Sequence, residues 1–71
     1  MKFINKRILT QRKERGLSRE DLAFQFRKLN AKVSPRTILN WEKGKSDPDA
    51  NDIAILCHIF GSPVTYFFAK S

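Results

Sequence analysis

The side chains of this sequence best placed to touch a partner lie in the stretch SPRTILNWEKG, from Ser34 to Gly44. A serine suited to cap a helix, a proline in the first turn and a glycine just past the end predict a short helix here. Ile38 and Trp41 are three residues apart, so they share one face, which is expected to point into a core. If Ile38 and Trp41 point inward, Arg36, Leu39, Asn40 and Lys43 cannot all do so. They form an outward surface of donor, apolar and donor groups. A short amphipathic helix closely preceded by another helix can enter a DNA major groove while its predecessor crosses the phosphates.

Other chemistry finds little support. His58 is the one histidine, and Cys57, the one cysteine, is expected to face inward beside Leu56 and Phe60 as a small packing group. The chain has no glycine-rich phosphate loop and no pair of carboxylates in a catalytic setting. Asp47 and Asp49 read as bend and helix-start residues. No enzymatic activity, cofactor or metal is therefore expected. A lone cysteine excludes an internal disulfide and fits a reducing compartment.

The chain of 71 residues has room for one small core, so one domain is expected over residues 1–71. No apolar run approaches the roughly 20 residues needed to cross a bilayer. The basic N-terminal stretch breaks its apolar residues with Lys, Arg, Gln and Thr, unlike a secretion signal. A cytoplasmic protein without a membrane partner is expected. Fourteen Lys and Arg stand against seven Asp and Glu, a formal charge of +7 that attracts polyanions. Thirteen of the fourteen precede residue 46, and Lys70 alone follows it. The first two thirds of the chain should form the electropositive side.

The elements that must position the Ser34–Gly44 helix read as five short helical units without a convincing strand, an all-α fold. Ile4, Ile8, Gln11 and Arg15 recur at helical spacing until Gly16 stops the first unit. Ser18 can cap the second, with Asp21 as a capping-box partner and Leu22, Ala23, Phe26 and Leu29 as its inward face. It should end near Leu29 or Asn30. A fourth unit carries Ile53, Leu56, Cys57 and Phe60 up to Gly61. Ser62 and Pro63 then introduce a fifth with Val64, Phe67 and Phe68.

From about Ile4 to Phe68 the chain resembles the phage-repressor/Cro type of helix-turn-helix domain. RILTQRKERGLSREDLA resembles that family's first helix and the start of its second. SPRTILNWEKGKSDPD resembles its recognition helix and exit loop, and IAILCHIFGSPVTYFF its closing helices. The resemblance implies a compact five-helix, lambda-repressor-like fold that binds double-stranded DNA. It places Leu17, Leu22, Ala23, Ile38 and Trp41 in the core and makes Arg12 and Glu42 a charged pair tying the first helix to the recognition helix. It aligns Pro35, Arg36, Leu39 and Asn40 with base-facing positions, and Arg19, Lys43 and Lys45 with phosphate-facing ones.

Three departures stand out. The segment between Leu22 and Ser34 is about five residues longer than in the family's commonest form and lacks the usual glycine. Pro35 replaces a side chain that is often polar, and Gln11 one that is commonly apolar. On this reading Arg36 can bridge the O6 and N7 acceptors of guanine, Asn40 can pair with adenine, and Leu39 can press on a thymine methyl. Two copies would meet adjacent grooves of an inverted repeat. Phe24, Ile55, Ile59, Tyr66, Phe67 and Phe68 include more large apolar groups than one small core must hide, which favours a homodimer. The alternative is a protein-binding module, a toxin-neutralising or docking partner, that uses Phe24 with Arg27 and Lys28 or the aromatic tail.

Overall fold

The computed structural model describes residues 1–70, which begin and end in extended backbone; Ser71, the last residue of the span read as one domain, lies outside the described residues. Strand β1 (Lys2–Phe3) is followed by helices α1 (Lys6–Glu14), α2 (Arg19–Lys28), α3 (Pro35–Lys43) and α4 (Ala50–Phe60), then a 3₁₀ turn (Val64–Phe67) and strand β2 (Phe68–Ala69). The two strands pair antiparallel, Lys2 opposite Ala69 and Phe3 opposite Phe68. The all-α, five-helix expectation is thus corrected. Among the described residues there are four α-helices, the fifth unit is a 3₁₀ turn, and Lys2–Phe3 and Phe68–Ala69 form a small sheet.

The reason lies at the chain ends. The Ile4 N–H donates to the Phe67 carbonyl at 2.7 Å, which continues the strand pairing and keeps Ile4 out of α1. The Asn5 side chain, at the helix start, donates to Asp47 at 2.9 Å and makes no cap. Only four residues separate Pro63 from Phe68, which must be extended to meet Phe3, so a full helix has no room to form. The Phe3 ring packs on Phe67 and Phe68, with centroids 6.1 and 5.5 Å away.

The helix starts follow the local chemistry. Ser18 and Asp21 form a reciprocal capping box, as do Asp49 and Asp52, and the Ser34 hydroxyl accepts from the Thr37 N–H at 3.1 Å. At the end of α2, where a glycine is absent, Asn30 takes the left-handed conformation with φ 61°. The Asn30 N–H donates to the Arg27 carbonyl and the Ala31 N–H to the Phe26 carbonyl, each at 3.0 Å. This closure satisfies two orphan carbonyls and turns the chain toward α3. Asparagine is the residue after glycine that tolerates this conformation best.

Ile8, Leu22, Phe26, Ile38, Leu56, Phe60 and Phe67 are completely buried, and Trp41 nearly so. Phe26 from α2 and Trp41 from α3 meet with ring centroids 5.8 Å apart, which fixes the inward face of α3. Phe67 therefore fills the chain's own core. Tyr66 and Phe68 pack partly buried against it, so the aromatic tail is not the spare surface expected from its composition.

Two arginines expected on the electropositive side are spent on this closing segment. Arg7 donates to the Tyr66 carbonyl and lies 5.0 Å from its ring centroid. Arg15 donates to the Phe60 carbonyl with its guanidinium 5.8 Å from that ring.

Candidate nucleic-acid interface

Helix α3 is held from one side by Ile38, Trp41 and Glu42, all buried. Burial of a carboxylate requires compensating charge and donors. Arg12, itself buried, donates its Nε to Glu42 Oε2 at 2.7 Å and its Nη2 to Oε1 at 3.4 Å. Its Nη1 donates to the Leu17 carbonyl at 2.8 Å, so the same guanidinium also holds the turn between α1 and α2. The charged tie between first and third helices is present as expected.

Arg19 joins it. Its Nε donates to Glu42 Oε1 at 2.9 Å, and its side chain stays 38% exposed while that of Glu42 is 2% exposed. Glu42 is therefore the junction of α1, α2 and α3. Sequence reasoning missed this third member because nothing local marks a contact across 23 positions.

With the inner face fixed, the outer face follows from helix geometry. Pro35 and Arg36 are exposed, while Leu39 and Asn40 are half-buried. Arg19, Pro35, Arg36 and Leu39 line one cleft between the N-terminal ends of α2 and α3, together with Ser18 and Glu20. Lys43 is exposed at the far end of α3, roughly 10 Å along the axis from Arg36 at 1.5 Å per residue. The chain reverses at Gly44, whose φ is 75°, and the Lys45 N–H donates back to the Asn40 carbonyl at 2.9 Å. That closure leaves Lys45 exposed beside the helix exit.

The ion pairs among the described residues are those of Glu42, so Arg36, Lys43 and Lys45 have no carboxylate partner there. The surface can offer a guanidinium, an amide, a small apolar wall and two ammonium groups to a rigid anionic partner. Cys57 is half-buried and burial pushes its thiol up, which disfavours the reactive thiolate; His58 is exposed. Among the described residues no group of three or more His, Cys, Asp or Glu side chains could hold a metal, and no helix is long and apolar enough to cross a membrane.

A family model described as a helix-turn-helix domain matches residues 5–71, nearly the whole chain, and that family is a non-catalytic DNA-binding one. No curated protein and no solved structure matches the chain.

Proposed function

Because the chain belongs to the helix-turn-helix domain family, we propose that it is a sequence-specific double-stranded DNA-binding regulator of the phage-repressor/Cro type. It acts in the cytoplasm as a homodimer on an inverted repeat. The observation that carries this reading is the two-sided construction of α3. Ile38, Trp41 and Glu42 lock one side, while Pro35, Arg36, Leu39 and Asn40 stand on the other without competing ion pairs among the described residues.

Arg36 reads guanine through a bidentate contact, Asn40 reads adenine, and Leu39 and Pro35 give apolar contact to thymine methyls. Lys43 and Lys45 take phosphates. Arg19 uses its outer guanidinium nitrogens for a phosphate while its Nε stays on Glu42, so the residue that helps fix α3 also sets its height over the backbone. Exposed Phe24, Leu29 and Val64, with half-buried Ile55 and Ile59, supply the apolar surface for pairing two copies.

Selection of bound sequences from a random duplex pool tests the reading. It expects an enriched inverted repeat with half-sites about one helical turn, 34 Å, apart. Recovery of no enriched motif contradicts it. Phe24, 56% exposed with the Lys28 ammonium 5.6 Å from its ring centroid, favours protein binding as the second reading. Tight binding of a protein partner without DNA enrichment would put that reading first.

A further inference from the structure

The lengthened connection between α2 and α3 is more than a spacer. Three clefts run around the N-terminal end of α3 and adjoin through shared residues. The first, between α2 and α3, holds Arg19 and Arg36. It shares Glu20 and Pro35 with a second, which Arg27 also lines. The second shares Arg27 with a third, lined by Arg27, Lys32, Val33, Ser34 and Thr37. The concave surface beside the candidate base-facing residues therefore continues past the helix start onto the connection.

Its positive charge resumes beyond Glu20, a carboxylate shared by the first two linings. Arg27 and Lys32 are exposed and enter no ion pair among the described residues, and the third cleft has no carboxylate in its lining. The backbone that carries both cations is held by the fold. Arg27 stands in the last turn of α2, and its carbonyl accepts from the Asn30 N–H in the closure that turns the chain. Lys32 follows Ala31, which is anchored through its N–H on Phe26 and packs against the core. Half-buried Val33 secures the other side of Lys32.

We propose that Arg27 and Lys32 form a phosphate clamp on double-stranded DNA, a second backbone contact beyond the phosphate contacts of Arg19, Lys43 and Lys45. This inference rests on the DNA-binding reading of α3. A duplex that seats its major groove on α3 presents a phosphate backbone along each wall of a groove about 12 Å wide. Arg19 meets one stretch of that backbone, and the connection extends the protein surface along the phosphates beyond the N-terminal end of α3. The clamp reads no base. It adds affinity and fixes register, because phosphate contacts orient a protein without carrying sequence information.

The test measures binding of the full chain to its selected duplex between 0.05 and 0.3 M salt, with the double variant Arg27→Ala, Lys32→Ala compared with the control Lys13→Ala, Lys70→Ala. The control removes the same charge from residues that line none of the three clefts. For each protomer bound, the clamp variant should lower the slope of log affinity against log salt by about 1.8 and weaken binding on the order of tenfold, and it should leave the ranking of single-base variants of the site unchanged. The control should change the slope by much less. The charge-preserving variant Arg27→Lys, Lys32→Arg should restore most of the slope, which separates lost charge from lost folding.

Equal slopes for clamp variant and control, with sequence-specific binding intact, would overturn the clamp and leave the reading of α3 standing. A full chain that binds no duplex specifically would overturn both.

Discussion

Arg19 donates its Nε to Glu42 Oε1 at 2.9 Å, on the carboxylate whose other oxygen takes the Arg12 Nε at 2.7 Å. One buried acid thus holds two helices against the third. Replacing Glu42 with alanine strands the buried Arg12 guanidinium and should cost about 3 to 5 kcal/mol in urea melts, the range for breaking a buried pair from one side. An Arg12→Ala, Glu42→Ala cycle should show a coupling of about 2 to 3 kcal/mol, well above the 1 kcal/mol or less of an exposed pair. Additive losses would mean that the pair does not stabilise the fold directly.

Asn30 gives a second, local prediction. With φ 61° it occupies a position where glycine carries no side-chain penalty. Asn30→Gly should raise stability by about 0.5 kcal/mol, and Asn30→Ala should lower it by about 1 kcal/mol. Urea midpoints of the two variants should therefore move in opposite directions.

The two capping boxes should titrate with opposite sign. The Ser18 N–H, and secondarily its hydroxyl, hold the Asp21 carboxyl below the usual aspartate range. Its contribution is present above the unfolded value of about 3.9 and is lost as pH falls through the folded value. Burial raises Asp52 first, the Ser18-like bond from the Asp49 N–H opposes this, and the Asp49 charge adds to the rise. Its contribution is present below about 3.9 and is lost as pH rises through the folded value. Thermal melts from pH 2 to 6 should show the advantage of the parent over Asp21→Asn growing with pH. The advantage of the parent over Asp52→Asn should shrink over the same range.

Four helices, three of their caps and the inward face of α3 were legible from the sequence because each rests on residues within one or two turns. Ser18 with Asp21, Ser34 with Pro35, and Ile38 with Trp41 carry their meaning locally. The terminal sheet was not legible, since a strand of two residues has no alternation to read and Phe3 meets Phe68 across nearly the whole length of the chain. For the same reason the burial of Phe67, the ties from Arg7 and Arg15 to the closing segment, and the third arm of the Glu42 junction stayed hidden. The outward residues of α3 were identifiable because its inner face was, whereas their contacts to bases belong to a partner outside the chain.

The engagement of each cation within the fold bears on salt dependence. Arg7, Arg12 and Arg15 are engaged within the chain, so the slope should reflect a subset of the cations. The phosphate-facing Arg19, Lys43 and Lys45, with the proposed pair Arg27 and Lys32, give a slope of log affinity against log salt of about −4.5 for one domain. Fluorescence anisotropy on a nonspecific duplex would measure it. A flat dependence would leave the basic excess as a solubility feature.

Whether the outer face of α3 reads bases is decided by the binding of Arg36→Ala and Lys43→Ala to every single-base variant of the selected site. Circular dichroism first verifies that both variants are folded. Arg36→Ala should relax the preference at one base pair by about 1 to 3 kcal/mol, while Lys43→Ala should weaken all sequences alike and lower the salt slope by about one. An unchanged preference profile for Arg36→Ala would contradict the account.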